Sequence, residues 1–174
     1  MKLHASILFS LLALAGCAIY GDPALQPGQG NTASIEQRLG QPALRWQEAA
    51  GGETLVYPTG PAGYHTWFLR TDAEGRLIER KNVLDAAHFA RIEAGMNEEQ
   101  VLRLIGPPQP AWTVYFAARD ELVWEWRYCD DWNEPARFNV LFDGTTRLVR
   151  STYAAPEKLR AALDFRYQPR WCGR

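Results

Sequence analysis

The chain has 174 residues, enough for one compact domain or two small ones, and its 47% hydrophobic and 22% charged composition excludes an intrinsically disordered polypeptide. A formal charge of −1 argues against a general nucleic-acid binder, which would show a basic excess. Outside the first twenty residues, no apolar run reaches the length of a membrane-spanning helix.

The N-terminus reads as an export signal. Lys2 supplies a positive charge, and ILFSLLALA (7–15) is an apolar stretch too short to span a bilayer with those flanks. It ends in LAGC (14–17), which resembles a bacterial lipobox. The resemblance implies cleavage after residue 16 and acylation of Cys17. Ala18 in the next position implies delivery to the outer membrane, facing the periplasm, by analogy with lipoprotein sorting in Gram-negative cells. Acyl chains such as palmitate contribute about 0.8 kcal/mol per buried CH₂, so a multiply acylated cysteine would hold the protein on a bilayer. Residues 18–30, AIYGDPALQPGQG, are rich in Gly, Pro and Gln and read as a tether.

From residue 31 the chain repeats itself. NTASIEQRLGQPALRW (31–46) aligns without a gap on NEEQVLRLIGPPQPAW (97–112), pairing Asn31 with Asn97, Gly40 with Gly106 and Trp46 with Trp112 at a constant offset of 66. ETLVY (53–57) then parallels DELVW (120–124), and WFLRTDAEGRLIE (67–79) parallels FNVLFDGTTRLVR (138–150) at an offset of 71. The added residues fall in a loop, where insertions are tolerated.

Each copy opens on a short helix. In the second, Asn97 and Gln100 form a capping box, Glu98 and Glu99 sit at the positive end of the helix dipole, and Met96 and Val101 are placed as a hydrophobic staple. Val101, Leu104 and Ile105 form one apolar stripe, Gly106 permits a left-handed end, and Pro107 and Pro108 forbid continuation. Period-two patterning follows: 111–117, 121–129, 137–142 and 147–153 read as strands, as do 44–49, 54–57, 64–70 and 76–82 in the first copy. Between the copies NVLDAAHFARIEAG (82–95) reads as a helix, and PEKLRAALDF (156–165) starts like another. The pattern predicts an α+β protein of two tandem modules, each a helix-covered antiparallel sheet. The expected divisions are a signal at 1–16, lipidated cysteine and tether at 17–30, modules at 31–82 and 83–155, and a C-terminal helix and tail at 156–174.

Signals for catalysis are weak. His65 and His88 are isolated, and no sequence motif places a base beside Cys129. CDDWNE (129–134) has three acids but lacks the glycine and terminal glutamate of a calcium loop, and no Cys or His spacing suggests a metal, so no cofactor is expected. Cys129 and Cys172 could pair in an oxidising periplasm or stand as separate thiols. The aromatics are more informative, because Tyr and Trp are enriched at interface hot spots. Part of Trp124, Trp126 and Tyr128, or Trp132 with Tyr64 and Trp67, is expected to form a protein-binding surface.

HFARIEAGMNEEQVLRLIGPP (88–108) resembles the BamE (SmpA/OmlA) lipoprotein family, with its Gly-Met, polar pair and Val-x-x-x-x-Gly-x-Pro helix end. The tandem arrangement resembles the fold of the beta-lactamase inhibitor protein. The resemblance implies a non-enzymatic outer-membrane lipoprotein that binds or scaffolds envelope proteins, such as barrel-assembly machinery. An inhibitor-type binder of a periplasmic enzyme is the alternative.

Overall fold

The computed structural model describes residues 25–157 together with Asp22 and Cys172. The expected signal segment, Cys17, most of the tether and the C-terminal helix beyond residue 157 lie outside them.

Asn31 and Asn97 start two short helices by the same device. Asn31 accepts a hydrogen bond from the Ser34 N–H and Asn97 one from the Gln100 N–H, both at 2.9 Å, while Ser34 and Gln100 accept from the two asparagine N–H groups in return. The helices are α1 (Thr32–Leu39) and α3 (Glu98–Ile105), and Gly40 and Gly106 end them at φ 77° and 74°. Between them lies α2 (Ala86–Phe89), only four residues long.

The strands form two antiparallel meanders. β1 (Leu44–Gln47), β2 (Glu53–Pro58), β3 (Thr66–Thr71) and β4 (Leu77–Asn82) make sheet 1 in chain order. β5 (Val114–Phe116), β6 (Glu121–Cys129), β7 (Pro135–Asp143) and β8 (Val149–Pro156) make sheet 2 in the same way. The chain before each long helix adds to its sheet: the Gly28 N–H donates to Leu77 and the Gly95 N–H to Val149, each at 2.8 Å.

This corrects the expected α+β architecture. The described residues are mostly β, two four-stranded sheets with a few short helices, and not a pair of helix-plus-sheet modules. Two physical reasons stand out. The segment 82–95 supports no long helix, because β4 runs on to Asn82 and Asp85 caps a single turn before Gly95 turns the chain at φ 88°. In addition, α3 is shared between the sheets. Its Val101 and Ile105 are fully buried among Trp124, Trp126, Phe138 and Val140 of sheet 2. At its end, Gly106 faces Thr66, Val56 and Phe68 of sheet 1, and the Arg103 guanidinium lies 4.7 Å above the Trp46 ring. α2 and α3 are thus a thin layer between the sheets, whereas α1 packs on the opposite face of sheet 1.

Two cores result. Ile35 and Leu25 pack with Leu55, Tyr57, Trp67, Leu69 and Leu77 on one face of sheet 1. The larger core holds the α2–α3 side chains against sheet 2, where Phe89 stacks on Phe138 at 3.9 Å between centroids. Cys129 and Cys172 are joined in a disulfide with Cα atoms 6.0 Å apart, within the ordinary range.

Candidate functional site

Alternation along β6 sends Leu122, Trp124, Trp126 and Tyr128 into the core. Val123, Glu125 and Arg127 therefore point to the outer face of sheet 2. The β6–β7 register sets Glu125 opposite Asn139 and Arg127 opposite Arg137, and β8 sets Tyr153 beside Asn139. Two arginines directly opposite would repel each other. Glu157, just past β8, resolves the conflict. One of its oxygens accepts from Arg127 at 2.7 Å and the other from Arg137 at 2.6 Å, and Arg137 also donates to Glu125 at 2.7 Å. Glu125 is only 2% exposed, so the network is a buried one whose members need one another.

Aromatic rings complete the network. Arg137 lies 3.8 Å from the centroid of Trp112, and Arg127 lies 4.4 Å from that of Tyr64 while donating to the Pro61 carbonyl. These last contacts tie the face to the 60–65 loop of the first half. Beside the network is a cleft of about 160 Å³ bounded by Trp112, Phe116, Glu125, Asn139 and Tyr153. Asn139 is 2% exposed, and its side-chain oxygen has no hydrogen-bond partner among the described residues.

The rim is apolar. Val114 and Phe116 of the edge strand β5 are 43% and 40% exposed, and Tyr153 is 48% exposed; Tyr115 between them is 54% exposed but pairs with Leu122 and so stands on the opposite face. The hydroxyl of Tyr115 donates to Asp120 at 2.7 Å, and that carboxylate pushes the phenol pKa up. Hydrogen bonds from Thr145 and Tyr115 hold the Asp120 carboxyl below its usual range. The backbone N–H of Thr146, then the Arg150 guanidinium and the Thr146 hydroxyl, hold Asp143 down to about 2. The turn carrying the rim is therefore fixed by ionised carboxylates.

The residues expected to bind protein are divided by the fold. Trp124, Trp126 and Tyr128 belong to the core of sheet 2 and Trp67 to that of sheet 1, so they do not form a surface. The reason is that helices cover the more apolar face of each sheet, α1 on sheet 1 and α2 with α3 on sheet 2. Tyr64 is partly exposed beneath Arg127, and Trp132 stands 82% exposed in the β6–β7 loop. The histidines have structural surroundings. His88 is 5% exposed with its Nδ1 2.7 Å from Asp85, and His65 stacks on Trp67, where burial and Arg80 lower its pKa. The exposed β5 and Tyr153 were not singled out from sequence. The available signal was VYF, three adjacent large apolar residues in a short predicted strand.

No protein-family model matches the chain, and no curated protein matches it. Among solved structures, it is similar at 13% identity and a TM-score of 0.27 to an extracellular protein containing an SCP domain from Bacillus anthracis, over 83% of this chain. The chain spans about half the length of that protein, 49% of it.

Proposed function

We propose that this protein is a non-catalytic binding or scaffold lipoprotein of the bacterial envelope, held at the outer membrane through Cys17 and turned toward the periplasm. The lipobox at 14–17 and the BamE-like segment at 88–108 support the location and the class. The observation that carries the binding role is the outer face of sheet 2, where Val114, Phe116 and Tyr153 form an apolar rim beside a charge network. Exposed aromatics beside a preorganised polar centre are the composition of an interface hot spot. An envelope protein, such as a component of the barrel-assembly machinery, is the proposed partner.

The test is recovery of partners from gently solubilised outer membranes with the intact chain, a Cys17→Ser form and a Phe116→Ala/Tyr153→Ala form. The expected result is a barrel-assembly component with the intact chain, lost in the rim variant. Capture of one soluble periplasmic enzyme by both the intact and Cys17→Ser forms would replace this reading with an inhibitor-type binder. Capture indifferent to the rim changes would remove the face from the function.

A further inference from the structure

A second groove lies elsewhere, between the outer surface of sheet 1 and the α2–α3 layer, with a volume of about 370 Å³. Its basic groups come from both sides. Arg70 and Lys81 rise from β3 and β4, and Arg91 and Arg103 come from the α2–α3 connection and α3. His88 also lines the groove, nine-tenths buried and with Nδ1 committed to Asp85.

The carboxylates facing the groove are fewer, and both are engaged. Glu48 accepts from the Thr54 hydroxyl at 2.6 Å, and Glu79 pairs with Arg70 at 2.9 Å. Arg103 reaches Glu99 only at 3.8 Å and rests on Trp46. Lys81 and Arg91 have no ion-pair partner within 4.0 Å among the described residues. Four cations stand against the two lining carboxylates and the neighbouring Asp85, which sits near Lys81 and bonds His88, a local positive surplus in a chain whose net charge is −1. Like charges gathered in one groove repel each other and focus a positive potential into it.

We propose that this groove binds a multivalent oxyanion of the phosphate class, held between Lys81 on sheet 1 and Arg91 on the helical layer. Guanidinium groups suit it because they present planar N–H pairs to tetrahedral oxyanions, and the ammonium adds a point charge. Because the cations come from both sides of the groove, the bound anion clamps sheet 1 to the α2–α3 layer and stabilises the folded chain by mass action. This site is separate from the face of sheet 2 and does not depend on the protein-binding reading.

The experiment uses inorganic pyrophosphate as the soluble probe, titrated calorimetrically and by thermal shift at constant ionic strength, against the parent, Arg91→Gln and Lys81→Gln. Both substituted side chains are exposed, so folding is retained, and Arg38→Gln on α1 serves as a charge control. A second arm measures flotation with vesicles of zwitterionic lipid, with or without an anionic phospholipid. The expected result is saturable binding that raises the melting temperature, weakened about tenfold by either groove substitution and unchanged by Arg38→Gln. Dependence on Arg91 and Lys81 in the pyrophosphate arm assigns a soluble anion, and the same dependence confined to anionic vesicles assigns a lipid phosphate. Binding that tracks ionic strength alone, is equal in all variants or is absent in both arms overturns the proposal.

Discussion

Gly40 and Gly106 occupy one position of the repeat and share one backbone conformation, φ 77° and ψ −165° against φ 74° and ψ −172°. That region is open almost solely to glycine, and a side chain there costs roughly 1–3 kcal/mol. Their surroundings differ. A Cβ on Gly40 meets nothing within 4 Å, whereas one on Gly106 would lie 2.7 Å from Thr66 Cγ2 and 3.2 Å from Val56 Cγ1. Thr66 is 1% exposed and Val56 0%, so neither can move aside freely. Gly106→Ala should therefore destabilise the chain by about 1–3 kcal/mol more than Gly40→Ala, since overpacking adds to strain. Urea unfolding of the two variants measures the difference, and equal midpoints would mean that α3 does not press on sheet 1. A second residue-scale expectation concerns acid. Asp143 is held to about 2 from an ordinary 3.8, so the folded chain binds its proton later than the unfolded chain does. Its contribution is present above that ordinary value and lost as pH falls toward about 2. Asp143→Asn should be less stable at neutral pH and should lose part of the acid dependence in that window, as read by denaturation at stepped pH.

Among the elements, capping and charge pairing separate by burial. Asn97→Ala removes a reciprocal cap and should cost about 1 kcal/mol. Arg137→Ala leaves Glu125 and Glu157 buried without their shared cation and should cost about 3–5 kcal/mol, far more than loss of the exposed Arg70–Glu79 pair at about 0–1 kcal/mol. Comparing Arg137→Ala with Arg70→Ala in one denaturant series tests this ranking. The short helices and most strands were legible because their signals are local: caps at N3, glycine ends and period-two alternation. The extent of α2 was not, because Phe89 and Ile92 sit at a helical spacing but are held by the core beneath them after only one turn. The outer face of sheet 2 was also hidden. Glu125 reads as a solvated residue, and its buried ion pair with Arg137, 12 positions away in the chain, leaves no local signal.

For the whole molecule, the disulfide joins positions 43 residues apart. Closing a loop of that length contributes about 4 kcal/mol in the chain-entropy account. Reduction, or Cys172→Ser, should lower the melting temperature while leaving the far-UV signature of two sheets. An unchanged melting temperature would show that the crosslink adds nothing the packing does not already secure. The repeat was legible at this scale, but the way its copies sit together was not. Thr54 and Val56 align with Glu121 and Val123, and in the first copy that face receives α3. The second copy carries the charge network at the equivalent place.

The two copies therefore meet head-to-tail, the outer face of sheet 1 against a helix of the second copy. A head-to-tail contact repeated by a further chain at the free end generates a ring where its rotation closes and a filament where it does not. Arg127, Arg137, Glu125 and Glu157 occupy that end. Exchanging all four for apolar residues of similar volume should leave the individual chain as stable as before or more so. It should also make the sedimentation coefficient climb with concentration, while the parent's stays constant. On this view, the charges that cost stability keep the chain from polymerising.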